Sequence, residues 1–171
     1  MLGDDWVWCP RCAAPLDRRE RSGLPRPHCV RCDFTFFANM GVGAAAVIRD
    51  AAGRILMVQR APHQFGAGRW CFPCGFVEWG EDVRAAAARE ALEEAGVVVE
   101  LGELLQVASN FHDQDQPTIG VWFAARLTDP RAAPIAGDDA VATAWVDPRD
   151  PPPLAFPSDA ALLARLSGRG P

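Results

Sequence analysis

The chain has 171 residues, 49% of them hydrophobic and 23% charged, enough for one domain with a small appendage and for an ordinary apolar core. Its longest apolar runs, such as Val42 to Ile48, fall far short of the ~20 residues of a membrane span, and Asp4 and Asp5 stand where a secretory leader would be basic. A net charge of −5 argues against a protein built to coat nucleic-acid backbones. The expectation is a soluble, cytoplasmic protein with no membrane partner. All seventeen basic residues are arginine, so no lysine is available as a Schiff base or a phosphate-binding ammonium.

Near the start, Cys9 and Cys12 form one C-x2-C pair and Cys29 and Cys32 another. Two such knuckles present four thiolates to a single tetrahedral Zn2+, and a closed S4 site of this kind is structural. Disulfides are the alternative, but no export signal accompanies them and a C-x2-C ring is strained. His28, beside Cys29, reads as a surface residue. Few apolar residues lie between Arg11 and Arg31, so the metal is expected to hold residues 9–32 together. Residues 1–40 are thus read as a zinc ribbon with an aromatic connector, and 41–171 as a second domain.

Gly43–Ile48 and Ile55–Gln59 read as a β-hairpin turning at Gly53. A loop follows over 60–69, and then Cys71 and Cys74 make a third C-x2-C, open to a redox reading or to two unpaired thiols. Residues 82–95 form the strongest helix, stopped by Gly96. Strands are expected at 97–101, 104–108, 119–127 and 140–146. Proline-rich residues 148–157 form an extended connector, and Ser158 caps a last helix running to about Leu166. Strands and helices without regular alternation indicate an α+β fold.

The chemistry concentrates in Gly75-Phe-Val-Glu-Trp-Gly-Glu81 and Arg89-Glu90-Ala-Leu-Glu93-Glu94-Ala-Gly96-Val97. On a helical wheel Glu90, Glu93 and Glu94 span about 100°, opposite Ala85, Ala88, Ala91, Leu92 and Ala95. Clustered carboxylates repel one another. A solvated acidic face is one explanation; a divalent cation of the Mg2+ or Mn2+ type is the other.

The spacing G-x5-E-x7-R-E-U-x-E-E-x-G-U, with U a bulky apolar residue, resembles the signature of the Nudix hydrolase superfamily. It is matched at Gly75, Glu81, Arg89, Glu90, Glu93, Glu94, Gly96 and Val97, and the small Ala91 takes the first U. The resemblance implies a Nudix fold, a mixed β-sheet sandwiched between α-helices, over about Gly41 to Leu166. It implies Mg2+- or Mn2+-dependent hydrolysis of a nucleoside diphosphate linked to another group. Glu90 and Glu94 would be the principal metal ligands, with Glu93 binding a metal or polarising water. Arg89 would hold the glutamates, Glu81 would anchor the preceding loop, and the backbone carbonyl of Cys74 would join the metal shell. The proton acceptor is a box glutamate or a loop acid, the candidates being Asp113, Asp115, Asp138 and Asp139.

A four-cysteine ribbon on such a domain resembles two groups, the NADH pyrophosphatases and a set similar to ADP-ribose and FAD pyrophosphatases. The first carries S-Q-P-W-P-F-P-x-S after the box; this chain has Ser109-Asn-Phe-His-Asp-Gln-Asp-Gln-Pro117 and departs from it. The second is marked by a segment like Leu154-Ala-Phe-Pro-Ser158 and an acid near Asp139, both present. A small nucleotide is therefore the expected substrate. Phe111, Trp122 or Phe156 could stack its base, and Arg60 and Arg69 could contact phosphate. Hydrolysis of nucleoside triphosphates is the competing reaction. Arginines between Arg11 and Arg31 leave open nucleic-acid binding by the ribbon. The resemblance also implies a homodimer.

Overall fold

A computed structural model describes residues 6–113 and 116–168; Asp115 lies outside them. The chain divides into two compact units, Met1–Met40 and Gly41–Pro171.

In the first unit, β1 (Asp17–Arg21) and β2 (Leu24–His28) form an antiparallel hairpin. Ser22 and Gly23 both have positive φ, 53° and 76°, as the twist-matched two-residue turn requires. The cysteine knuckles repeat one geometry. Ala13 N–H donates to Cys9 O and Asp33 N–H to Cys29 O, each at 2.9 Å, with Ala13 and Asp33 both left-handed. His28 is not the surface residue its composition suggested. It is buried, with Nδ1 3.0 Å from Thr35 Oγ1 and Nε2 3.6 Å from Asp33, a polar group that burial obliges to find partners.

The second unit contains β3 (Gly41–Ile48), β4 (Ile55–Arg60), β5 (Trp70–Cys71), β6 (Cys74–Phe76), α1 (Val83–Ala95), β7 (Val99–Asn110), β8 (Thr118–Leu127), β9 (Ala140–Val146) and α2 (Pro157–Leu166). One sheet has the order β6-β3-β8-β7 and the other β5-β4-β9. The first is mixed, because β3 runs parallel to β8 in register Gly41↔Thr118 through Ile48↔Ala125. Among the described residues no helix is long and apolar enough to cross a membrane.

The structure revises three local expectations. β3 and β4 do not form a hairpin within one sheet. Gly53 does take the turn, with φ 80°, but the strands are joined by a single bridge, Arg49↔Ile55. Each is an interior strand of its own sheet, and each is buried along most of its length, so each satisfies its backbone with other partners. The strands expected at 97–101 and 104–108 are one strand, β7, with irregularities between Leu101 and Gln106. Ser158 does not cap α2. Phe156 takes the cap position without a side-chain bond, and Pro157, with fixed φ and no N–H to satisfy, begins the helix.

α1 packs small residues against the mixed sheet, with Ala86 and Ala87 against Ala44 and Phe123. Leu162 and Leu163 of α2 join Val47, Met57, Phe72 and Trp122 in a separate cluster. The alanines allow α1 to lie close to the sheet, and that proximity shapes the site.

Candidate active site

α1 is set by its ends. Asp82 accepts from Arg84 and Ala85 N–H at its start, and Gly96 closes it in the left-handed conformation, φ 65°. These are the expected capping devices. The buried face is not the expected one. Ala86, Ala87, Glu90, Ala91, Glu94 and Ala95 are buried, whereas Ala85 and Leu92 are exposed. The helix thus turns two of its three clustered acids toward the protein, which rules out a simple solvated acidic face.

Arg89 organises the cluster. Nε donates to Glu81 Oε1 at 2.8 Å and Nη2 to Glu81 Oε2 at 3.0 Å. Nη1 donates to Glu90 at 2.6 Å and Glu93 at 2.8 Å, and Nη2 to Phe76 O at 2.9 Å. A guanidinium has five N–H groups, and this geometry gives each an acceptor. Hydrogen bonds from Arg89 and from Glu78 N–H bring the Glu81 pKa down to about 2. Hydrogen bonds to Glu81, and then to Glu93 and Glu90, raise that of Arg89.

The edge strand β6 supplies the facing backbone. Val77 N–H bonds Val42 O, and Ala46 N–H bonds Pro73 O. By the antiparallel alternation, Cys74 and Phe76 then turn their peptide groups away from β3. Accordingly, Cys74 N–H donates to Glu94 Oε2 at 2.8 Å and Phe76 O accepts from Arg89. The Cys74 carbonyl lies on the same side as Glu94. Gly75 is required by closeness: a methyl there would sit 2.5 Å from Glu90 Oε2 and nearer still to Oε1.

Even with Arg89 beside them, two of the acids are disfavoured as anions. Burial pushes the Glu90 pKa up, with neighbouring Glu93 and Asp138 adding to it and Arg89 opposing. Burial likewise lifts Glu94 to about 8, against the Cys74 N–H bond. Glu93 is more exposed, at 43%. Three carboxylates and an outward carbonyl are hard oxygen donors, and two of the acids are disfavoured as anions, so the set fits Mg2+ or Mn2+. The thiol of Cys74 is itself pushed well up by a hydrogen bond with Cys71, by burial and by Glu94 and Asp159. That is the opposite of an activated redox cysteine.

These residues wall a cavity of about 590 Å³. It includes Arg60, Phe156 and Trp122 among the expected binding residues, and Asp113, Asp138 and Asp139 among the acids. Arg69 is not on its wall and reaches Leu154 O at 3.4 Å. Phe111 is also off the wall and 68% exposed. Its neighbour His112 lines the cavity instead. Trp122 is buried, its indole N–H donating to Asp159 Oδ1 at 2.9 Å. Asp159, lifted to about 7 by burial despite bonds from Trp122 and Phe72 N–H, was not legible in the sequence, where it looks like an ordinary first-turn acid. Phe65 likewise carried no signal.

In the first unit, the sulfurs of Cys9, Cys12, Cys29 and Cys32 lie within 4.8 Å of one another, with Cys9–Cys32 and Cys12–Cys29 at 3.5 Å. A tetrahedral S4 zinc site with ~2.3 Å bonds needs sulfurs roughly 3.8 Å apart. The four thiols fit Zn2+.

A mixed sheet carrying an acidic helix, whose carboxylates touch an edge strand and line a cavity with it, is an arrangement able to hold a divalent cation against phosphate. The NUDIX domain profile matches residues 40–166, and the chain belongs to the Nudix family. Its structure is similar to that of a NUDIX hydrolase from Nitrosomonas europaea, with a TM-score of 0.82 and 28% identity over 94% of this chain and 90% of that one. An ADP-ribose pyrophosphatase from Methanocaldococcus jannaschii is 36% identical over 110 residues, 64% of this chain and 63% of the relative. An RNA pyrophosphohydrolase from Dinoroseobacter shibae is 42% identical over 71 residues, 42% of this chain and 43% of the relative. The chain therefore spans less than two thirds of the length of these curated relatives.

Proposed function

We propose that this protein is a divalent-metal-dependent hydrolase that cleaves the pyrophosphate bond of a nucleoside diphosphate linked to another group, with ADP-ribose and FAD as representatives. The observation that carries this reading is the convergence of Glu90, Glu93 and Glu94 with the outward peptide of Cys74 on the wall of one cavity. Mg2+ or Mn2+ held by these carboxylates and the Cys74 carbonyl would neutralise the pyrophosphate and lower the pKa of a bound water. Arg89 keeps Glu90 and Glu93 oriented, and Glu81 fixes Arg89 from the other side. Asp138 and Asp139, close enough to raise Glu90 and Glu94, are the loop acids placed to accept a proton. Arg60, on the same wall, supplies a guanidinium for phosphate. The M. jannaschii relative, named for ADP-ribose, supports this substrate class. Residues 41–171 carry the reaction, and residues 1–40 form a structural zinc ribbon.

The test is a panel of ADP-ribose, FAD, NADH, diadenosine polyphosphates and nucleoside triphosphates with Mg2+ or Mn2+, run beside Glu93→Gln and Glu94→Gln. Release of nucleoside monophosphate, falling by about a hundredfold or more in both variants, is expected. No monophosphate from any compound would sink the proposal, and pyrophosphate released from triphosphates alone would move the substrate class.

A further inference from the structure

The cavity wall away from the glutamates is aromatic. Phe65 and Phe156 have nearly parallel rings, 7° apart in plane, with centroids 6.2 Å apart. That is longer than a close face-to-face contact. His112 lies 5.1 Å from Phe65 and 5.0 Å from Phe156, and Arg60 sits over Phe156 at 4.9 Å. Burial and the Arg60 charge hold the His112 pKa below its ordinary value, so near pH 7 the imidazole is a neutral flat ring. Phe65 remains 45% exposed, an apolar face that core packing does not account for. Two buried polar side-chain atoms lack a hydrogen-bond partner among the described residues, Gln64 Oε1 and Ser158 Oγ. Both residues line the cavity. In sequence Gln64 precedes Phe65, and Ser158 comes two positions after Phe156. Orphaned buried polar atoms carry a desolvation penalty that a partner removes.

We propose that Phe65, His112 and Phe156 form the seat for the substrate's nucleobase, and that Gln64 and Ser158 hydrogen-bond its edge. A planar heterocycle is the ligand for which such a wall is suited: its faces stack on rings and its rim carries donors and acceptors. The Gln64 amide oxygen, an acceptor, selects bases with an exocyclic amine. Arg60 is the link, touching the ring cluster at Phe156 while its charge reaches Glu94, so a seated base places the phosphates toward the carboxylates. This deepens the proposed function and rests on it for the direction of binding.

The experiment measures binding rather than turnover, by calorimetry of the full chain with AMP, IMP and ribose 5-phosphate. Wild type should bind AMP more tightly than the base-free phosphate. Phe65→Ala should weaken AMP by about 5- to 150-fold, the range spanned by base–aromatic stacking, with ribose 5-phosphate and Tm unchanged. Gln64→Ala should remove the preference for AMP over IMP. Equal affinity for AMP and ribose 5-phosphate in the wild type, or an undiminished AMP affinity in Phe65→Ala, overturns the seat. A persistent AMP preference in Gln64→Ala overturns the edge reading. Base-dependent binding without hydrolysis in the substrate panel would retain the seat and refute the activity instead.

Discussion

Replacing Arg89 with lysine keeps the charge and removes the fork. An ammonium has three donors against the guanidinium's five, so at least two of the acceptors now held by Arg89 lose their partner. The costly one is Glu90, whose side chain is only 9% exposed; the Phe76 carbonyl lies in an exposed setting and can turn to water. A buried acceptor left unpaired costs about 1–3 kcal/mol. Arg89 itself is 29% exposed, so solvent screening trims this to about 1–2 kcal/mol. For a unit of this size that lowers Tm by roughly 3–10 °C. Activity should suffer more than stability, because Glu90 loses its orientation and a displacement near 1 Å costs about a hundredfold. The assay is thermal unfolding beside kcat/KM on the best substrate of the panel, with Mn2+ binding followed by electron paramagnetic resonance. A lysine variant within about threefold of wild type in kcat/KM and about 2 °C in Tm would show that the five-bond fork does not position the glutamates.

Gly75→Ala puts a methyl into the Glu90 carboxylate. Mn2+ affinity should drop at least tenfold, with about 1–2 kcal/mol of destabilisation from overpacking; unchanged metal binding would mean that Glu90 can move freely. The pH dependence follows from the buried acids. Glu94 and Asp159 have folded pKa values of about 8 and about 7, above their unfolded ones of about 4, so their contribution to stability is complete only below about pH 4 and is lost progressively as pH rises from there to about 7 for Asp159 and about 8 for Glu94. Tm of the metal-free protein should therefore fall across that interval. Mg2+ should offset the Glu94 part, and its own affinity should rise with pH as Glu94 releases its proton; a flat pair of Tm curves would contradict this. For the ribbon, Cys29→Ser or chelation should release zinc to a colorimetric dye and unfold residues 9–32, while the thermal transition of residues 41–171 stays in place. Loss of both transitions together would refute independent structural roles.

The parts of this protein legible in its sequence are those whose geometry is local. The four cysteines lie in two C-x2-C knuckles, each one turn of chain closed the same way at Ala13 and Asp33, and the short β1–β2 hairpin between them brings the two knuckles together. Glu90, Glu93 and Glu94 cluster because i, i+3 and i+4 share a helix face, and Asp82 and Gly96 bound that helix because capping needs only neighbouring residues. Which face is buried was not local. Leu92 is exposed while Glu90 and Glu94 are buried, since the helix is oriented by its alanines on the sheet and by Arg89 gripping β6. The aromatic wall is less local still. Its rings come from residues 65, 112 and 156, and the first and last meet because Trp70 N–H bonds Pro153 O while its carbonyl accepts from Ala155 N–H. Those long-range backbone bonds pin the proline-rich connector beside the loop at 60–69. Composition and spacing determine which metals the chain can hold; strand pairing between distant segments decides what surrounds them, because only the folded register sets which loops share a wall.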